Sequence, residues 1–492
     1  MLFNSLEFLL FLPLVFALYW IANQWTNTSA GLKVQNFILL IASGVFYAWW
    51  DWRFLSLIAF STLLDWFVGL QVHKANQSDS PNDLNHRSAI GKRWLALSLV
   101  ANLGLLGYFK YANFFIDSWV ETWSAIGVTM HASSVQLVLP VGISFYTFQT
   151  ISYSIDIYRR KLDPTPSLLN FAAFVSFFPQ LVAGPIERAS ALLPQIERRR
   201  CFDNDLAVSG LRLILWGMFK KVVVADTCAR YVDEIFGNCH DHSGPTLVLG
   251  AVYFAFQIYG DFSGYSDIAI GTARLFGIQL MTNFKMPYFS RDIAEFWRRW
   301  HISLSTWFRD YLYIPLGGSR AGKWKSVRNT FIIFVVSGFW HGANWTFVIW
   351  GFIHTMLFLP LLLLGLNRRH TNELDSKRWL PRLSEILGMV VTFSFVTLAW
   401  VFFRAPNVEE AISFIQGMSK DWPNFSLVSK TSLFWIAVLL LCEWGFRTTI
   451  LRSVFFSSRR LHTILRWLTY SIAIWVVMKN LNNQSEFIYF QF

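Results

Sequence analysis

The chain has 492 residues, of which 54% are hydrophobic and only 15% are charged, and its formal net charge is +12. A soluble domain carries roughly 25% charged residues, so this composition excludes an ordinary soluble protein. The Lys and Arg residues lie in a few loops between apolar runs, a pattern typical of membrane proteins that argues against a nucleic-acid partner. We therefore predict one domain, residues 1–492, embedded in a membrane and surrounded by its lipid.

Apolar runs recur along the whole chain, and a run of about 20 apolar residues is long enough to span a bilayer. We predict an all-α polytopic fold with about ten full spans. They cover residues 3–22, 34–50, 54–72, 94–114, 135–155, 207–225, 246–275, 384–403, 431–450 and 464–481. The first run carries Glu7 and has neither a basic start nor a small-residue cleavage site, so we interpret it as a span rather than a cleavable signal.

Two further apolar regions fit a single span poorly. Residues 168–186 are interrupted by two prolines and a glycine, and residues 329–366 are too long for one span and are broken at residues 338–342. We predict that both regions are re-entrant or hairpin elements.

The charges of the loops predict an orientation. Six loops hold most of the Lys and Arg, and they alternate with loops that hold few. The basic loops are residues 73–93, 156–167, 187–206, 280–328, 367–383 and 446–466. Because basic loops stay on the cytoplasmic side, we expect both termini to be extracytoplasmic.

Residues 285–328 form the largest predicted cytoplasmic insertion. Apolar side chains from Ile293 to Tyr311 recur at spacings of three and four, which predicts one helix. Arg298 and His301 share its opposite side with Ser305 and Arg309. Spacing alone favours an interfacial helix that lies in the headgroups, with His301 on its exposed face.

His341 is the strongest single indication of a functional site. It lies within a long apolar region, where ionisable residues are costly and usually functional. The glycines on either side allow a broken helix, which is tolerated at that depth where it lines a cavity. A neutral imidazole can take a proton from a hydroxyl or thiol during acyl transfer, and Asn344 can orient it or donate to an oxyanion. The alternative is a structural histidine bonded to a backbone carbonyl. For His354, in the same apolar region, structural packing is favoured.

Two acidic residues, Asp261 and Asp267, lie within another apolar run. We expect each to face the protein interior with a partner, and a structural role is favoured over catalysis. The four cysteines form no CxxC pair, which argues against a zinc site or a disulfide framework, and residues 239–242 are interpreted as a polar loop. Since no nucleotide or metal-protease motif is present, we predict no metal and no tightly bound cofactor.

Six motifs now support a resemblance to a known family. The motifs are residues 140–149, 178–186, 260–267, 296–304, 308–318 and 338–342. In this order they resemble the membrane-bound O-acyltransferase superfamily, and within it the branch that serves alginate O-acetylation. The similarity is concentrated in residues 140–345, and the outer spans agree in layout.

The resemblance has implications for fold and site. It implies a helical bundle around a central tunnel, in which a cytoplasmic donor meets an acceptor from the other face. His341 matches the family's near-invariant membrane histidine, the expected catalytic residue. His301 matches a second family histidine on the cytoplasmic side, where we expect it to line the donor entrance with Arg298.

The C-terminal tail, residues 482–492, carries a further resemblance. Residues 487–492 are similar to the tails of alginate-type and peptidoglycan-type acetyl transporters, and to the tail of the small partner peptide of teichoic-acid D-alanylation. By that analogy Tyr489 is a candidate acyl carrier. An aromatic interfacial anchor is the alternative interpretation.

The resemblance implies an acetyl shuttle in the bacterial inner membrane. Acetyl-CoA is the expected donor, and a periplasmic SGNH-type acetyltransferase is the expected partner that modifies alginate or a related polysaccharide. Peptidoglycan O-acetylation and D-alanyl transfer to teichoic acid are alternatives, although the fused tail argues against the second. A non-enzymatic transporter would predict internal repeats, and none is evident. Catalysis and a relay of the acyl group both remain open.

Overall fold

The structure is a computed structural model of the chain. It describes residues 1–24, 29–79, 88–129, 138–320, 322–371, 380–422, 424–425, 427–447, 460–481 and 485–488. They divide into two compact units. The first unit comprises Met1–Ile214 and Ala269–Met281, and the second unit comprises Leu215–Ile268 and Thr282–Phe492. Helices and no strands occur among these described residues, so the all-α prediction is confirmed.

The first part of the chain, as far as it is described, forms ten helices. They are α1 (Leu6–Gln24), α2 (Ser29–Asp51), α3 (Leu55–Asp79), α4 (Ala89–Leu106), α5 (Ala112–Ala125), α6 (Ile143–Tyr158), α7 (Leu168–Ser176), α8 (Phe178–Leu181), α9 (Ala189–Ile196) and α10 (Asn204–Met218). A π-helical turn, Phe219–Ala225, continues α10.

The second part of the chain forms ten more helices within its described residues. They are α11 (Asp226–Gly237), α12 (Gly244–Leu275), α13 (Ile293–Arg299), α14 (Ile302–Phe308), α15 (Lys323–His341), α16 (Trp345–Leu363), α17 (Leu383–Arg404), α18 (Val408–Gly417), α19 (Lys430–Arg447) and α20 (Arg460–Asn480).

The helices match the predicted apolar spans in position, since each of the predicted spans overlaps a described helix. Four helical stretches of the described residues are long and apolar enough to cross a membrane, and Leu6–Ala22 is a shorter apolar helix. The four are Ala30–Asp79, Ala89–Ala125, Trp345–Leu363 and Leu383–Arg404. These stretches support a membrane protein, and the larger number of spans stays a prediction.

A buried carboxylate organises the packing of α3, α4 and α6. Asp65 on α3 is fully buried and accepts hydrogen bonds from Ser98 at 2.5 Å, Asn102 at 2.7 Å and Ser154 at 2.8 Å. Because a buried polar group is costly unless it is hydrogen-bonded, these three donors tie the helices together in one register.

Two predicted segments differ from the structure in detail. Within the described part of the predicted span 135–155, which starts at residue 138, the helix begins at Ile143, because Pro140 lacks an amide donor and Gly142 has a left-handed φ of 76°. The region 168–186 contains helices of nine and four residues, α7 and α8. At 1.5 Å per residue neither can cross a bilayer, so neither helix forms a full span, and the re-entrant or hairpin form of this region stays a prediction.

The second predicted hairpin, residues 329–366, is formed by α15 and α16, which Gly342 to Asn344 connect. Gly338 lies against the backbone of Phe347, and Gly351 lies against the backbone of Phe334. A Cβ atom at either glycine would overlap that backbone, so the two antiparallel helices can approach this closely only because glycine occupies both positions.

The single helix predicted for Ile293 to Tyr311 is wrong. The helix stops at Arg299, His301 adopts a left-handed φ of 44°, and a new helix begins at Ile302. The predicted exposed face is also wrong, because His301 is 0% exposed. The apolar spacing continues across the break, so it could not reveal that the helix is interrupted there.

Candidate active site

His341 lies at the C-terminal end of α15, where the helix breaks. Its side chain is buried at 6% exposure. The imidazole is enclosed by aromatic rings, with centroid distances of 5.0 Å to Trp340, 5.3 Å to Trp350 and 5.2 Å to Phe403. The aromatic wall excludes water, which strengthens any interaction between the imidazole and a developing charge.

His301 lies beside His341, although 40 residues separate them in sequence. The centroids of the two rings are 6.5 Å apart. His301 also contacts Phe262 on α12 at 4.7 Å, edge to face. The left-handed backbone at His301 turns the imidazole inward, so the two candidate histidines converge on one buried location.

One side-chain contact fixes the orientation of the His301 ring. Nδ1 lies 3.1 Å from Oδ1 of Asn283, an atom that can only accept, so Nδ1 carries the proton. Asn283 is itself held, since it donates to Ser266 at 3.1 Å and accepts from the Ser303 hydroxyl at 2.9 Å. Nε2 of His301 has no hydrogen-bond partner among the described residues, so its lone pair remains available for a substrate proton.

Burial determines the charge state of His301. Removal from water lowers the pKa of His301 to about 3, because burial disfavours the charged form. The imidazole is therefore neutral at cellular pH. A neutral ring with a protonated Nδ1 and an open Nε2 is the form that a general base requires.

His354 has different surroundings from the other two histidines. Its Nδ1 accepts a hydrogen bond from Nε1 of Trp297 at 3.3 Å, which places the ring proton on Nε2. Its ring packs on Trp350 at 4.7 Å and on Trp297 at 5.0 Å. An imidazole whose lone pair is already used cannot accept a proton from a substrate, so the geometry favours a packing role.

The membrane-bound O-acyltransferase family matches residues 12–403, a range that contains both converging histidines. The chain belongs to this family. It is therefore a membrane acyltransferase, and the family resemblance of its motifs is confirmed.

Three relatives show the range of functions within this O-acyltransferase family. A Pseudomonas aeruginosa protein named "probable alginate O-acetylase AlgI" is 42% identical over 419 residues, which cover 85% of this chain and 75% of that protein. A peptidoglycan O-acetyltransferase of Helicobacter pylori is 37% identical over 85% of this chain and 80% of its own length. A teichoic acid D-alanyltransferase of Bacillus subtilis is 28% identical over 56% of this chain and 70% of its own length.

Two other predicted site residues of this acyltransferase lie in different surroundings. Asn344 caps α16, where Oδ1 accepts from the Thr346 amide at 3.0 Å and Nδ2 donates to the Pro406 carbonyl at 2.8 Å. Arg298 is exposed and donates to the carbonyls of Asn367 and His370 at 2.9 Å each. The side-chain oxygen and nitrogen of Asn344 thus both bond to backbone, and Arg298 is exposed whereas His301 is buried.

The prediction that Asp261 and Asp267 have partners is confirmed. Asp261 pairs with Lys221 at 2.7 Å, and Asp267 pairs with Lys220 at 2.7 Å. Lys221 also pairs with Asp226 at 2.9 Å. The sequence analysis missed the two lysines, although two adjacent lysines inside a predicted span are themselves an indication of a buried ionic site.

The remaining predicted positions are outside this cluster. Tyr489 lies outside the described residues, so its role as an acyl carrier stays a prediction. Near residues 239–242, Sγ of Cys239 and Nε2 of His240 lie 3.3 Å and 3.4 Å from Oε2 of Glu410. The interpretation of a polar loop without a metal stays a prediction at this position.

Proposed function

We propose that this acyltransferase passes an acetyl group from cytoplasmic acetyl-CoA through a transmembrane tunnel, for O-acetylation of an extracytoplasmic polysaccharide such as alginate. The pairing of two buried imidazoles, His301 and His341, at a ring distance of 6.5 Å is the observation that carries the mechanism. The 42% identity to the Pseudomonas protein favours acetyl and alginate as acyl group and acceptor.

The chemistry is proton transfer coupled to acyl transfer. An acceptor hydroxyl attacks the thioester carbonyl of acetyl-CoA while an imidazole takes the hydroxyl proton. A C–O ester bond forms, the C–S bond breaks, and the imidazolium returns its proton to the departing thiolate. We assign the base to His341 and the second proton-accepting or acyl-positioning role to His301, whose open Nε2 supports it. Arg298 lines the donor entrance in this scheme, and Asn344 fixes the start of α16, three residues after His341.

The inner membrane is the proposed location, with about ten spans and both termini extracytoplasmic. The alternation of basic and neutral loops supports this orientation. A reporter that is active only outside the cytoplasm, fused after Phe492, is expected to be active. An inactive reporter there, with an active cytoplasmic reporter at the same position, would contradict the layout.

The tail takes part in the proposed export step. Tyr489 accepts the acetyl group as a phenyl ester and hands it to a periplasmic SGNH-type partner, which acetylates the polymer. Two observations support this proposal: the tail resembles those of acetyl transporters, and the described residues Phe487 and Ile488, which precede Tyr489, are each 1% exposed.

The test of the function is deletion of the gene followed by measurement of three esters in the same cells. Acetyl on exopolysaccharide, acetyl on peptidoglycan and D-alanyl on teichoic acid are measured after alkaline release. We expect only exopolysaccharide acetyl to disappear and to return with the wild-type chain but not with His341→Gln. Loss of peptidoglycan acetyl instead would favour the function of the Helicobacter relative, and unchanged esters would overturn the proposal.

A further inference from the structure

The last described residues, 485–488, form a docked segment of the chain. Phe487 and Ile488 are each 1% exposed, although they lie next to the C-terminus. The ring of Phe487 lies 4.6 Å from that of Tyr265 on α12. Burial of these two large apolar side chains stabilises the docked position.

Three polar contacts hold the same segment. The Ser485 hydroxyl donates to Oδ1 of Asp226 at 2.5 Å, and Nζ of Lys221 donates to the Ser485 carbonyl at 3.3 Å. The backbone amide of Ile488 donates to Oδ2 of Asp261 at 2.7 Å. The segment is therefore fixed at both ends by charged groups, which make stronger hydrogen bonds than neutral groups do.

Charge balance explains why the segment and the charged groups belong together. Lys221 lies between Asp226 and Asp261, and the three side chains are 3% exposed or less. One ammonium cannot neutralise two carboxylates, and a buried charge is costly without hydrogen bonds. The tail supplies one donor to each carboxylate, so the docked tail completes the cluster.

The backbone around Lys221 supports a dedicated site. Lys221 lies on the π-helical turn Phe219–Ala225 that continues α10. Such turns are rare and occur frequently at functional sites. The turn and Asp226, which follows it, place the lysine and one carboxylate on one segment, while α12 supplies Asp261 and Tyr265.

We propose that Lys221, Asp226 and Asp261 form a tail clamp, a site that binds residues 485–488 and positions the C-terminal tail for the acyl hand-off. The role of the clamp rests on the proposed function, in which the next residue, Tyr489, carries the acetyl group. The three clamp residues are positioning residues, since they contact the tail and not the acyl group. The ligand they select is a segment with a hydroxyl donor at Ser485, an amide donor three residues later at Ile488, and the apolar ring of Phe487 between them.

Hydrogen exchange of the purified full-length protein tests the clamp. The observable is the exchange rate of the C-terminal peptide, which contains the Ile488 amide. In Asp261→Ala we expect this rate to rise about tenfold or more, because a hydrogen bond to a charged group is lost. Ser485→Ala is the milder variant and should raise the rate by a smaller factor without disturbing the buried ions.

Asp267→Ala is the matched control. Asp267 lies on the same helix and also pairs with a buried lysine, but no described contact joins it to the tail. Its loss should leave exchange of the C-terminal peptide unchanged. Equal increases in Asp267→Ala and Asp261→Ala would show general destabilisation and would overturn the clamp.

Polymer acetylation separates the clamp from the carrier function. We expect Asp261→Ala to lower polymer acetylation to about a tenth of the wild-type level, because the tail is docked in a correspondingly smaller fraction of the molecules. Unchanged tail exchange in Asp261→Ala overturns the clamp whatever the acetylation level. Faster tail exchange with full acetylation leaves the tail bound as described but overturns its role in acyl transfer.

Discussion

Two buried polar regions of the second unit differ in how they avoid the cost of burial. Around His301 and His341 the polar groups are imidazoles enclosed by aromatic rings, and burial keeps His301 neutral. Around Lys220 and Lys221 the groups are charged, and every lysine has a carboxylate within 2.9 Å. Paired charges hold structure in place, whereas a neutral imidazole with an open nitrogen is ready to exchange a proton.

The largest effect should come from the histidines. General acid–base catalysis contributes about 10²–10⁴-fold, so His341→Gln should lower acetylation by at least about 100-fold. His354→Gln, a substitution of another buried imidazole, should retain most activity per folded protein. The measurement is polymer acetyl content normalised to protein that elutes as a single species in detergent. Equal losses in both variants would assign His341 to packing.

Within the charged region, the pair Lys220–Asp267, which no described contact joins to the tail, should respond in stability rather than in chemistry. Lys220→Met leaves Asp267 without its ion-pair partner, and breaking a buried pair costs about 3–5 kcal/mol. The double variant Lys220→Met with Asp267→Leu should recover part of that loss, because no unpaired charge remains. Thermal unfolding in detergent measures both. A double variant no more stable than the single one would contradict the view that this region is structural.

The buried imidazole of His301 should make the free energy of unfolding depend on pH. The pKa of His301 is about 3 in the folded protein, below the ordinary value of about 6.5, so the unfolded chain binds the extra proton between these values. The contribution of His301 to stability is therefore present above about pH 6.5 and is lost as pH falls toward 3, by about 1.4 kcal/mol per pH unit. His301→Gln should show a shallower loss of melting temperature between pH 7 and pH 5 than the wild type, and identical slopes would refute the assignment.

A smaller effect should follow from the group that orients His301. Asn283→Ala removes the acceptor for Nδ1–H and should lower acetylation about tenfold. Ser303→Ala removes another hydrogen bond to the same Asn283 oxygen and should have less effect. The 15N chemical shifts of the His301 ring report the tautomer directly. A retained Nδ1–H tautomer in Asn283→Ala would show that Asn283 does not set the tautomer of His301.

The fold could be predicted to a large extent, because it depends on the length of apolar runs. Hydropathy located the helices, and the glycines at residues 338–342 indicated the break after which α16 begins. The interruption at Trp300–His301 could not be read from spacing, because the apolar period continues through it. It depends on the left-handed backbone at His301 and on Asn283, which is distant in sequence.

The residues of the candidate site could be predicted only in part, because contacts between distant segments leave no pattern in the sequence. His341 stands out because an ionisable residue is unusual in an apolar run, and the resemblance added His301. Their convergence required the tertiary structure. The partners of Asp261 and Asp267 were expected but were not identified, because pairing across helices leaves no fixed spacing in the sequence.

The glycine contacts within the α15–α16 hairpin have a consequence for genetics. A screen for loss of polysaccharide acetylation will return substitutions at Gly338 and Gly351 together with those at His341, since a side chain at either glycine forces the helices apart. Judged by the loss of acetylation alone, these two glycines would therefore be counted as catalytic residues. Scoring each mutant for the amount of membrane-inserted protein separates the two classes, because only the histidine substitutions should leave that amount unchanged.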